Sequence, residues 1–301
     1  MRPFREGALR GRAATFAVVA GCGVLPADNP WNQRVDQLPA AASSDRVVSA
    51  IGSADRSHAD FGSGKFEGRP IGIPYTTVKK GTRKKRGRFE FAGESDKGPY
   101  PIPRRLPIEG GSSSDGDRHA IVVERGTCRL YELYRYFPGR SRFRAGSGAI
   151  FELRSNRLRP EGFTSADAAG LPILPGLARF DEVKKGAIDH ALRITVERTR
   201  NSFVYPARHF ASDLSDGDLP PMGIRFRLKA SVNASSFPPQ ARVVVEALKR
   251  YGAFIADNGS NWYVSGAPNR GWNNDQLRSI RGIRGSDWEV VDTSSLARPG
   301  L

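Results

Sequence analysis

The chain has 301 residues, a formal charge of +16, two cysteines and four histidines. Gly, Pro and Ser are dispersed, and no repeat or low-complexity linker divides the sequence, which argues for one large domain and against a string of modules. No Cys-x-x-Cys or His-Glu-x-x-His spacing occurs, so no zinc motif is present.

Residues 1–22 have the layout of a bacterial export signal. Arg2, Arg5, Arg10 and Arg12 precede an apolar stretch from Ala13 to Ala20. That stretch is far short of the ~20 residues a bilayer span needs, but it suits a signal-peptide core. It runs into Val19-Ala20-Gly21-Cys22, which resembles a lipobox. The resemblance implies a multiply acylated Cys22 as the mature N-terminus and contact with membrane through that anchor only. The alternative is an ordinary cleaved signal with Cys22 incidental. A buried N-terminal helix is disfavoured by Gly21, Gly23 and Pro26. With Cys22 lipidated or removed, Cys128 is expected unpaired, as a small buried hydrophobe near a turn. Residues 23–301 then form a single β-rich domain without a disulfide, exported to the cell envelope or secreted.

The high pI has a local source. Lys79, Lys80, Arg83, Lys84, Lys85, Arg86 and Arg88 place seven positive charges within ten residues. They lie between the strand-like stretches 71–78 and 89–91, so a basic hairpin tip is expected at 79–88. Such a loop is either simply solvated or meets an anionic surface. Nucleic acid is disfavoured as a partner, because export removes the usual target and no interleaved aromatics accompany the run.

Strand signals dominate the rest. Residues 120–124 and 129–134 flank a Gly turn and predict a hairpin. Further strands are expected at 149–153, 191–196 and 224–229, where apolar and basic residues alternate. Pro238 and Pro239 open one clear helix over 238–251, and Gly252 closes it. A short buried strand at 253–256 and a short helix over 275–280 follow. The fold class expected is mainly β (α+β), with an antiparallel β-sandwich-like core.

Candidate chemistry is sparse. Each histidine has an aspartate close by: His58 with Asp60, Asp117 with His119, Asp189 with His190, and His209 with Asp213. His-x-Asp on a strand puts both side chains on one face. That suits an acid–base pair or a metal site at His58, Asp60, Asp117 and His119, though loop hydrogen bonding accounts for such histidines equally well. Gly146-Ser147-Gly148 lacks the flanking pattern of a nucleophile elbow, and no phosphate-cradling loop occurs, so no cofactor is expected.

Two stretches are more pointed. Thr164 to Gly176 sets Asp167 among small and apolar residues, where a carboxylate is desolvated and its pKa raised. An N-cap role for Asp167 is the alternative. Asp257-Asn258-Gly259-Ser260-Asn261-Trp262-Tyr263, echoed by Trp272-Asn273-Asn274-Asp275, combines aromatic faces with amide and carboxylate groups, as sugar binding requires. A core tryptophan beside an Asn-Gly turn is the alternative there.

Several of these stretches, with Pro26-Ala27-Asp28-Asn29-Pro30-Trp31-Asn32, Glu94 to Pro103, Gly116-Asp117-Arg118-His119, His190-Ala191-Leu192-Arg193 and Pro206-Ala207-Arg208-His209-Phe210, resemble a group of uncharacterised exported bacterial proteins. The resemblance covers nearly all of the chain after Ala27 and implies no activity.

The sequence therefore points to an exported protein that acts on or binds envelope or extracellular polysaccharide. As a glycoside hydrolase it would use Asp167 and Asp257 as the carboxylate pair, with His190 and His209 orienting them or shuttling protons. Asn258, Trp262, Tyr263 and Trp272 would hold the sugar. The rivals are a non-catalytic carbohydrate-binding or structural module and a metal-dependent hydrolase.

Overall fold

A computed structural model describes residues 17–301. Most of the proposed export signal, residues 1–16, lies outside the described residues. In chain order the main elements are α1 (Ser44–Ile51), β1 (His58–Asp60), β2 (Tyr75–Val78), β3 (Ala120–Glu124), β4 (Arg129–Tyr134), β5 (Ser147–Glu152), α2 (Phe180–Lys185), β6 (Leu192–Val196), β7 (Arg225–Leu228), α3 (Pro239–Arg250), β8 (Ala253–Asn258), β9 (Tyr263–Ser265), α4 (Asn274–Arg278) and β10 (Trp288–Val290). The fold is mainly β of the α+β class.

Two sheets carry the architecture. One has the order β5-β4-β3-β2, the other β10-β7-β8-β6-β9-β1. Both mix antiparallel with parallel pairs, and the antiparallel ones are in the majority. β3 pairs β2 in parallel, as do β6 with β8 and β9 with β1. The reason is connectivity: parallel neighbours need a long crossover, and α3 lies in the one between β6 and β8.

Alternation along β4 sorts its side chains. Tyr131 and Leu133 face one apolar cluster with Tyr100 and Phe143. Leu130 faces the opposite cluster, which Ile121, Ala149 and Phe151 share with Phe254 of the second sheet. Period two therefore turns Glu132 and Tyr134 toward this interior between the sheets as well. A carboxylate among such residues needs partners, and this is where the polar site forms.

The hairpin of β3 and β4 forms as predicted, with Ala120 opposite Leu133 and Glu124 opposite Arg129. α3 closes where Gly252 was expected to end it, and Gly252 has φ +65°. An added Cβ there would meet the Phe226 carbonyl oxygen at 1.9 Å, so the position needs glycine.

Three expectations are corrected. First, Cys22 is bonded to Cys128. Its sulfur is thus occupied, which removes both the lipidated Cys22 and the unpaired Cys128. Val18–Val19 pairs with Cys22–Gly23, and Ala17, Val19 and Cys22 are buried in the core, which sets Cys22 against the turn that carries Cys128. Second, 79–88 is not a hairpin tip. β2 finds its partner in the buried β3, whose continuous apolar run offers a better neighbour. Lys84–Lys85 pairs with Tyr100–Pro101, and Gly87–Phe89 pairs with Phe143–Ala145. Lys84 also meets Glu124 at 3.3 Å, so part of the positive charge is locally compensated. Third, Trp262 and Trp272 are core residues. Trp262 stacks on Trp288 and donates its indole N–H to Gly52, while Trp272 packs on Phe61 and Phe180 and donates to Ala267. Large aromatics gain most by complete burial with the N–H satisfied, and here both conditions are met.

Candidate active site

The site begins with one buried arginine. Arg193 lies on β6 between Leu192 and Ile194, and period two turns its side chain to the face opposite theirs, the face of Phe254 across the pairing with β8. Nε and Nη2 donate to the two oxygens of Asp167 at 2.8 and 2.7 Å. Nη2 also donates to Asp257 at 2.9 Å, and Nη1 to Ser265 Oγ at 2.7 Å. Bidentate pairing of this kind fixes orientation as well as charge. Burial opposes the charge on Arg193, but the two carboxylates outweigh it and raise its pKa, so it stays a cation.

The loop holding Asp167 is tightly folded. Ser165 Oγ donates to the Leu171 carbonyl at 2.6 Å and accepts from the Asp167 N–H at 2.9 Å. Gly170 has φ +70°, and a Cβ there would meet the Phe163 carbonyl oxygen at 2.6 Å. The helix that an N-cap role for Asp167 would need does not form. Asp257 comes from the end of β8, beside an irregularity in its pairing with β6 at Ile194 and Thr195. Such a step re-aims side chains next to sites.

Asp167 and Asp257 thus converge, as the sequence suggested, but on unequal terms. Each has an oxygen on the same nitrogen, so those two oxygens can be no further apart than the two bond lengths combined. The Asp167 side chain is fully buried, whereas 21% of that of Asp257 is exposed. Burial pushes the Asp257 carboxyl up, the charge of Asp167 adds to this, and Arg193 offsets only part, leaving it at about 7. Two carboxylates share one guanidinium, so a single proton makes the trio neutral.

A second pair stands behind the first. His119 Nδ1 meets Glu109 at 2.6 Å, and Nε2 meets the Ala166 carbonyl at 3.0 Å. Both ring nitrogens face acceptors, so the imidazolium fits. Burial works against that charge, but Glu109 outweighs it and lifts the pKa to about 9. The pair thereby pins the backbone beside Asp167. From the other sheet, Glu132 accepts the N–H groups of Ile173 and Leu174 at 2.9–3.1 Å. Burial pushes it up to about 7 against those bonds.

The exposed edge of Asp257 opens into a cleft of about 330 Å³. Phe91, Tyr134, Ser147 and Thr164 line it together with Glu94, Asp117, His209 and Asn258. His209 Nδ1 meets the Ala168 carbonyl at 2.8 Å, and Nε2 lies 3.6 Å from Glu94. His209 and Asn258 therefore belong to the site.

His190 does not line it. It is buried with Glu182 at 3.2 Å, and Glu182 pairs with Arg179 at 2.5 Å, a packing role under α2. Tyr263 is half-buried on β9, where its ring meets His58 at 4.5 Å outside the cleft. His58 faces Tyr263 and does not meet His119. Asp60 stands opposite Ser265, within reach of the charges of Glu109 and Arg193, and burial raises its pKa. Among the described residues, the group whose metal-ligand atoms lie within 4.8 Å of one another is Glu109, Asp117 and His119. A cation there would have to displace the proton that His119 and Glu109 share. The expected set of His58, Asp60, Asp117 and His119 is thus replaced by one that keeps only the last two.

No family model, curated protein or solved structure matches the chain.

Proposed function

We propose that the protein is an exported carbohydrate-active enzyme that transfers a proton to a glycosidic oxygen from Asp257. The observation that carries this reading is the unequal environment of the two aspartates on Arg193. Asp257 faces the cleft with its pKa raised to about 7, so it can hold and release a proton near neutrality. Asp167 is sealed away with both oxygens on Arg193, so its part is to position that arginine and to raise Asp257 by its charge. It is not the nucleophile.

The second carboxylate of the reaction is then Asp117. It lines the same cleft and lies near enough for its charge to raise Asp257 further. Phe91 and Tyr134 supply faces for sugar C–H surfaces, while Asn258 and Thr164 supply hydroxyl partners. His209 and Glu94 line the same cleft and offer further polar contacts. The Cys22–Cys128 bond supports export, because disulfides persist in oxidising compartments. Among the described residues no helix is long and apolar enough to cross a membrane.

The test is a panel of polysaccharides incubated with the purified protein, with retention and new reducing ends both measured. Asp257→Asn is expected to keep retention and to lose about 100-fold or more in product release. Retention with no product from the wild type on any glycan would favour the non-catalytic binding module. Full activity of Asp257→Asn would refute the assignment.

A further inference from the structure

A second groove, of about 300 Å³, is lined by Arg88, Arg135 and Arg144 with Glu90, Phe137 and Gly146. The two hollows take successive residues from the same three segments. Phe91, Tyr134 and Ser147 line the first, while Glu90, Arg135 and Gly146 line the second. They share a floor as well, since Glu90 N–H donates to Ala145 at 3.1 Å and Phe91 N–H to Gly146 at 2.9 Å. Both hollows therefore border that one ladder.

The two hollows have opposite charge. The cleft holds Glu94, Asp117 and Asp257, while the groove holds three arginines against Glu90 alone. Two of the arginines are exposed but held. Arg135 pairs with Glu90 at 3.2 Å. Its backbone takes φ +48°, uncommon for a residue with a side chain, and its N–H donates to the Asp117 carbonyl at 2.7 Å. Arg144 lies over the Phe137 ring at 5.5 Å and exchanges backbone hydrogen bonds with Phe137 at 2.8 and 3.0 Å. A weakly hydrated planar guanidinium suits carboxylate and sulfate groups.

Resting on the carbohydrate reading above, we propose that one substrate spans both hollows, an acidic heteroglycan in which charged and uncharged sugars alternate. The acidic unit lies in the arginine groove. The uncharged unit lies in the carboxylate cleft, where a second anion would be repelled. A polymer acidic at every unit, or neutral throughout, fits only one of the two hollows.

The experiment measures retention and product with hyaluronan (alternating uronate), chondroitin sulfate (alternating uronate and sulfated sugar), polygalacturonate (all acidic), dextran (neutral) and single-stranded DNA. The first two are expected to exceed the others, and comparing them separates carboxylate from sulfate as the group recognised. The Arg88→Ala/Arg144→Ala double variant is expected to lose about tenfold in affinity for the preferred glycan. A Lys79→Ala/Lys80→Ala control, equal in charge removed, is expected to lose little. Equal loss in both variants, equal retention of polygalacturonate or DNA, or no retention of either alternating glycan overturns the proposal. Cleavage of dextran that depends on Asp257 but not on the arginines would remove this proposal and leave the catalytic one. Arginine-dependent binding with product release unchanged in Asp257→Asn would do the reverse.

Discussion

Removing the Cys22–Cys128 bond tests the most consequential departure from the sequence reading. The bond joins residues 106 apart in sequence. In the chain-entropy account, a cross-link closing on the order of 100 residues restricts the unfolded chain by about 4.7 kcal/mol at 25 °C. Measured values usually fall below that, at roughly 2–4 kcal/mol, because the native state does not meet the link without cost. Both sulfur atoms sit at 1% residue exposure in the shared core, so Cys22→Ala with Cys128→Ala changes little else locally. For a chain of this size each kcal/mol moves Tm by about 2 °C. The double variant is therefore expected to melt roughly 4–9 °C lower, and the wild type is expected to fall by a similar amount under dithiothreitol. Urea unfolding gives the free energy directly, and thiol titration of the untreated protein should find no reactive cysteine. Two free thiols, a lipid mass on Cys22, or equal stability of variant and wild type would refute the pairing as a stabilising link.

Four other outcomes follow from the site and the core. The pKa of Asp257 is raised in the fold, so its contribution to stability should fall as pH rises from about 4 to 7 and then level. Asp257→Asn should lose that contribution, a few kcal/mol between the two pH profiles in urea titrations, while Glu132 keeps its own; a profile parallel to that of the wild type would count against the raised pKa. The stability that His119 gains from Glu109 is full below its unfolded pKa of 6.5 and is lost as pH rises through about 9; His119→Gln should flatten the curve in that alkaline window. Arg193→Met leaves two carboxylates without their cation and is expected to cost about 3–5 kcal/mol in urea unfolding, with a near-neutral result showing that protonation alone suffices. Trp272→Ala should destabilise by about 3–5 kcal/mol while leaving glycan affinity of the folded fraction intact, which calorimetry can separate.

The hairpin, the main helix and most interior strands were legible because period-two and period-3.6 patterns report burial directly. The parallel pairings were not, since β2 and β1 find partners far along the chain and nothing in four or three residues encodes which. The burial of Asp167 was legible for a related reason: a carboxylate amid small and apolar residues must answer for its desolvation. By the same logic Arg193 in Ala-Leu-Arg-Ile-Thr-Val and Glu132 in Leu-Tyr-Glu-Leu-Tyr were signals passed over, each a charge on a strand with apolar flanks. Glu109 lies in a loop and gave no such sign. His190 and the two tryptophans misled because a pattern of polar and aromatic residues is the same whether it lines a cleft or packs a core.

The long-range pairing has a consequence for how the chain becomes a protein. β1 sets His58 beside Tyr263, and Ala41 near the start donates to Val290 near the end. The larger sheet can therefore close only after almost the whole chain has emerged. Topologies dominated by such distant contacts fold slowly. If the chain is exported as proposed, that delay keeps it threadable during passage. It also leaves unpaired strand edges waiting in the meantime, so yield in cells should depend on how promptly the last segment follows the first.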